Sequence, residues 1–133
     1  GVPVWDQQAN QLISEQALLG AIYASPAERG FGAFQASFKS AFGKDPHPLS
    51  SVAYDGIAMA LELAARGPGV AFTASELERP QGFSGVDGPF ALRSDKRVER
   101  GMAIKRISSV GLELVEDAPA TLYRSTASAM SAQ

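Results

Sequence analysis

Apolar residues change their spacing several times along this chain, and each change predicts a different element. "ALLGAIYAS", residues 17–25, is a nearly continuous apolar run between polar neighbours. That is the pattern of a strand buried on both faces of a parallel sheet, ended here by Pro26. From Ala27 to Phe42 the spacing turns helical: Phe31, Phe34, Phe38 and Phe42 recur at three and four residues and share one narrow face, with Gly43 placed as a C-cap. After the turn "KDPHP" a second helix follows, capped by Ser50 or Ser51 or entered through Pro48. Its apolar positions, from Leu49 and Val52 through Ile57 to Leu61 and Leu63, cover more than half the circumference. Ser51, Asp55, Glu62 and Arg66 share the remaining face, which predicts a helix covered on more than one side, with Glu62 and Arg66 paired and facing water.

Gly56 stands at the middle of this helix among Ala53, Ala60 and Ala64. A glycine in a helix interior costs roughly 1 kcal/mol relative to alanine, so its presence predicts a flat, close contact with a sheet or a second helix. The breaker cluster "RGPG" ends the segment, and "TASELERP" predicts a short helix with Thr73 or Ser75 as N-cap and Pro80 beyond its end. From Gly82 to Asp117 the chain turns to β-rich runs split at Asp87-Gly88, Ser94-Asp95 and Val110-Gly111, the signature of hairpins or bent edge strands. At the start, "GVPVW" is of extended type, and "DQQANQLISEQ" suits a loop with a short helix. Residues 1–122 thus form one ordered unit, and the small, polar residues 123–133 are expected to be a mobile tail.

Composition narrows the classes. The 133 residues are 45% hydrophobic and 20% charged, which fits one globular domain with a real core. A net charge of -2 without a basic stripe argues against nucleic acid as a partner. The absence of Cys removes disulfides, thiolate catalysis and Cys-ligated zinc, and leaves the compartment open. No apolar run reaches the roughly 18 residues that span a bilayer, and an export signal is expected upstream of Gly1.

Catalytic chemistry is not assembled locally. His47, the single histidine, lies between two prolines in a turn and reads as a solvent-exposed residue. Ser84 in "GFSGV" has its second glycine one position too early for a nucleophile elbow, and no Ser is followed three residues later by Lys. "RGFGAF" lacks the third glycine of a phosphate loop, and the scattered carboxylates offer no ligand cluster, so neither cofactor nor metal is expected. What remains is recognition: Trp5-Asp6 in a loop, Tyr23 at the carboxyl end of the apolar strand, and Tyr54 near the start of the long helix, since open α/β sheets meet ligands beyond their strands' carboxyl ends.

Taken in order, "VWDQ", "LLGAIYASP", "FGAFQASFKSAFGKDPHPLSSVAYDGIAMALELA" and "GFSGVDGPFALRSDKRVERGMAIKRI" resemble the C-terminal third of type I periplasmic binding proteins of the Leu/Ile/Val-binding kind, over about residues 1–119. "VEDAP" further resembles an envelope-lipoprotein branch, the penicillin-binding protein activators, although that pattern ends in an aromatic where this chain has Leu122. The resemblance implies two α/β lobes joined by a hinge, a ligand captured in the cleft between them, and the start of the long helix, around Leu49 and Ser50, facing that cleft. It implies that this chain holds part of such a fold, so its apolar faces are covered by an upstream lobe or a second copy of the chain. Amino-acid-binding members carry an acid just before the glycine of the strand, where this chain has Leu19, which tilts the reading away from free amino acids. The expected function is therefore a non-enzymatic bacterial envelope protein of the periplasm, lipid-anchored only through an upstream segment. It regulates a peptidoglycan synthase or, alternatively, delivers branched-chain amino acids or related small molecules to an ABC transporter.

Overall fold

A computed structural model describes residues 3–122, with side chains from Trp5 onward; the tail expected at 123–133 lies outside the described residues. The start is not extended: Pro3–Gln8 forms a 3-10 helix that runs into α1 (Ala9–Ser14). The apolar run 17–25 divides at Gly20, whose φ of +87° breaks the extended path. Before it lies a turn at Gln16–Leu18, and only Ile22–Ser25 forms a strand, β1. The next helix, α2, spans Phe31–Phe42 and ends as expected on Gly43, which takes the left-handed conformation and donates its N–H to the Lys39 carbonyl at 2.8 Å. Helix α3 (Ser50–Ala64) and the short α4 (Ala74–Leu77, with Thr73 before it) follow. Two hairpins complete the elements of the described residues: β2 (Phe90–Leu92) with β3 (Val98–Arg100), and β4 (Ala103–Ser108) with β5 (Gly111–Glu116).

These elements gather into a sheet region and a helical region. In the first, the order β1-β4-β5 is antiparallel throughout, with Tyr23 opposite Lys105. This corrects the parallel, doubly buried strand expected from the apolar run. β1 is an edge strand of this sheet, and its side chains alternate, Tyr23 and Ser25 inward and Ile22 outward at 61% exposure. The inward face packs on Leu12 of α1 and on Ile107, with Trp5, Leu18 and Leu112 around them. The helical region has its own small core, Leu63 of α3 on Phe83 and Phe90, flanked by Met59 and Leu77.

Helix α3 inverts the expected orientation. Ser51, Asp55, Met59 and Leu63, four residues apart, form the row turned toward the 83–90 segment, and Ser51 and Asp55 are 0% and 2% exposed. Ile57 and Leu61 on the other side are 64% and 67% exposed, and a Cβ at Gly56 would meet nothing within 4 Å. Ser51 and Asp55 are therefore turned inward while Glu62 and Arg66 of the same strip are exposed as expected, and the close contact expected at Gly56 is not made among the described residues. The physical reason is that Ser51 and Asp55 find hydrogen-bonding partners in the loop at 86–87, while on the apolar side Tyr54 meets Phe34 and Ile57 and Leu61 stay exposed. Glu62 does pair with Arg66, at 3.8 Å, and also with Arg79, at 2.6 Å.

The chain crosses between the two regions twice, at residues 26–30 and at 101–102. Ala27 N–H donates to the Asp87 carbonyl at 3.0 Å, and Gly101 N–H to that of Pro89 at 2.8 Å. Gly88, at φ +110°, lies so close to this second crossing that a Cβ on it would stand 2.6 Å from the Gly101 oxygen. Ala27, Ala103 and Ala118 fill the junction with small side chains.

Candidate functional site

A depression of about 390 Å³ opens at the first crossing, beyond the carboxyl end of β1. Its polar wall comes from Asp6, Ser25, Glu28, Asp87 and Lys105, and its apolar wall from Pro26, Phe31 and Pro48. The strand alternation in "AIKRI" directs Ala103, Lys105 and Ile107 to one face, so Lys105 sits on the buried side of the sheet beside Tyr23. A cation there must be paired, and it is: Nζ donates to Asp6 Oδ1 at 2.9 Å and to Glu28 Oε1 at 2.5 Å. Asp6 also accepts from the Tyr23 hydroxyl at 2.7 Å and the Ser25 hydroxyl at 2.5 Å.

The electrostatics follow from this wiring. Burial works against the charge on Asp6, but the hydrogen bonds from Ser25, Tyr23 and Lys105 outweigh it and hold the carboxyl below its ordinary value. Burial, reinforced by the hydrogen bond to Asp6, pushes the Tyr23 phenol above the usual tyrosine range. For Lys105 burial again opposes the charge, and its bonds to Glu28 and Asp6 prevail and raise its value. Asp87 behaves oppositely to Asp6: burial dominates and raises its carboxyl, with the Ser51 hydrogen bond as partial compensation.

Asp87 belongs to a second polar cluster that pins the loop to α3. Ser51 Oγ donates to Asp87 Oδ2 at 2.7 Å, Val86 N–H donates to Asp55 Oδ1 at 2.7 Å, and Arg100 reaches Asp55 Oδ2 at 3.4 Å. The helical region thereby presents Pro48 and Asp87 to the depression.

The structure brings Trp5, Asp6 and Tyr23 together: the Trp5 and Tyr23 rings lie 5.4 Å apart, beside the Asp6 bond. Tyr54 is on the other region, with its ring 5.3 Å from Phe34. Leu49 and Ser50 sit at the start of α3, next to Pro48 but not on the depression's wall, and Leu49 points outward. His47 is exposed, and its Nδ1 accepts from Leu49 N–H at 3.2 Å. Sequence reasoning missed Ser25, Glu28 and Lys105; the inward register of Lys105 between Ala103 and Ile107 was the available signal. Among the described residues no three His, Asp or Glu form a metal-holding group, and no helix is long and apolar enough to cross a membrane.

No family model and no curated protein matches the chain. Among solved structures it is similar to a protein assigned as a branched-chain amino acid ABC transporter from Rhodospirillum rubrum, at 16% identity and a TM-score of 0.59 over 76% of this chain and 32% of that one. The leucine binding protein LivK from Thermotoga maritima is similar at 16% identity and a TM-score of 0.44, over 75% and 31%. The chain thus spans about a third of the length of the solved structures it matches. The first likeness is one of fold: this mixed helix and sheet architecture corresponds to part of the type I periplasmic binding fold.

Proposed function

We propose that this chain forms part of a two-lobed, non-enzymatic ligand-binding protein of the bacterial envelope, and that the depression beside Lys105 is part of its ligand cleft. The observation that carries this reading is the position of the depression. It lies where the chain crosses between its two regions, is walled by side chains from both, and opens beyond the carboxyl end of β1. Trp5, Asp6 and Tyr23 form its sheet-side support, while Leu49, Ser50 and Tyr54 belong to the helical side that closes toward it. The apolar side of α3 that carries Ile57 and Leu61 is then the surface on which further elements of the same two-lobed fold pack.

The ligand class is a small solute, in line with the assignment of the R. rubrum neighbour as a branched-chain amino acid ABC transporter. A second reading, a lipid-anchored regulator of a peptidoglycan synthase, rests on Leu19 and "VEDAP". Leu19 lies before β1, at the end of the strand away from the depression, so the missing acid there leaves the Lys105 wall intact. We therefore favour small-solute binding. Trp5 is the single tryptophan and touches Tyr23, so its fluorescence reports on the site directly. Titration with leucine, isoleucine and valine is expected to give a saturable change that Lys105→Met weakens. A flat response to all three, together with saturable binding of a purified peptidoglycan synthase, would replace this reading with the second.

A further inference from the structure

The partners of Lys105 are not equivalent. Its side chain is 8% exposed and Asp6 is partly buried beneath the depression, whereas Glu28 is 72% exposed on the crossing segment. The Asp6 oxygens are already taken, Oδ1 by Tyr23 and Lys105 and Oδ2 by Ser25. Asp87 holds Ser51. A ligand ammonium entering the depression would have to compete with bonds that are in place, on carboxylates committed to the fold. Glu28 has no such commitment: among the described residues its carboxylate bonds to Lys105 only, and turning outward costs it little because its carboxylate regains water. Lys105 and Asp6 already balance each other's charge, so Glu28 is the additional anion at the mouth of the site.

We infer that Glu28 is an exchangeable placeholder: a ligand carboxylate takes its position on Lys105 Nζ, while the ligand's apolar part lies against Pro26, Phe31 and Pro48. The inference rests on the cleft reading above and specifies which end of the ligand the sheet side holds. A buried ammonium bonded to one fixed and one removable carboxylate is prepared for that exchange, because the incoming oxygen restores the bond that Glu28 gives up. The charge bonded to Lys105 Nζ is unchanged by the exchange, since one carboxylate replaces another.

The test uses two probes that divide leucine between them, isocaproate with the carboxylate and isoamylamine with the amine, titrated into the 133-residue chain and followed by amide NMR. Isocaproate is expected to shift the Glu28, Phe31 and Lys105 amides saturably. Glu28→Gln, an exposed change that leaves the Lys105–Asp6 pair intact, is expected to tighten isocaproate by up to about fivefold, the equivalent of one exposed ion pair. Lys105→Met is expected to abolish the shifts. Isoamylamine binding at these residues in place of isocaproate, or isocaproate binding that Glu28→Gln leaves unchanged or weakens, would overturn the exchange while leaving a ligand cleft in place. No shift at the depression with either probe, or with leucine itself, would remove both.

Discussion

In the sheet region, α1 lays Leu12 on Tyr23 and Ile107, and the polar groups gather at one end around Lys105. In the helical region, α3 lays Ser51 and Asp55 on a loop and turns Ile57 and Leu61 to the outside. The first region packs the inward face of its sheet with its own elements, leaves Ile22, Val110 and Leu114 exposed on strands and a turn, and keeps its polar groups for an opening. The second spends its polar groups on internal docking and leaves apolar surface unmatched. In the two-lobed fold proposed above, the buried polar row of α3 docks it within this region and its bare apolar row receives further elements.

The contrast is sharpest in the apolar residues. Ile107→Ala, at 0% exposure in the sheet core, is expected to cost about 3 kcal/mol, whereas Ile57→Ala on α3 should stay within about 0.5 kcal/mol. Denaturant unfolding of the two variants measures both, and comparable losses would break the distinction. Next in size, Asp55→Ala strands the Val86 N–H and removes the partner of Arg100, for an expected cost of about 2 kcal/mol. If that variant melts like the parent, the polar docking of α3 is not what holds the loop.

Two of the three carboxylates on the depression, Asp6 and Asp87, sharpen the comparison through pH. Asp6 is lowered in the folded chain, so its contribution is present above its ordinary 3.8 and is lost as the pH falls through its lower folded value. Asp87 is raised, so its contribution is full below 3.8 and is lost as the pH rises through its higher folded value. Asp6→Asn should therefore destabilise near neutral pH by an amount that shrinks in acid. Asp87→Asn, which keeps an acceptor for Ser51, should stabilise near neutral pH, and that gain should vanish by about pH 3. Melting temperatures across this range check the signs; the same sign for both variants would contradict the opposed environments. The smallest effect concerns Gly56, where Gly56→Ala in this chain should raise stability by at most about 1 kcal/mol, since a Cβ there meets nothing. A loss would reveal a contact on that face.

Local signals were the legible part of the fold. Gly43 marked the end of α2, the breaker clusters bracketed α3, and Asp95 and Val110-Gly111 marked the two hairpin turns. Strand direction was not legible, because β1 pairs with residues some eighty positions later and an apolar run carries no record of its partner. The orientation of α3 was hidden for the same reason: Ser51 and Asp55 are buried only because Val86, Asp87 and Arg100 come to meet them. At the site, Trp5, Asp6 and Tyr23 were visible as polar and aromatic residues near a strand end. Lys105 was not, since a charged residue in a short strand ordinarily points to water.

The central claim, that the bare side of α3 is a packing surface of a larger two-lobed fold, is tested most directly by sedimentation equilibrium of the 133-residue chain beside its Ile57→Glu, Leu61→Glu double variant. Both positions are exposed, so the variant should keep the parent's helix content. With its partner elements absent, the parent is expected to self-associate, its average mass rising with concentration, while the variant stays at the monomer mass. A parent that remains monomeric over the same concentrations, with a melting temperature no different from the variant's, would contradict the account and make that side of α3 an ordinary solvent surface.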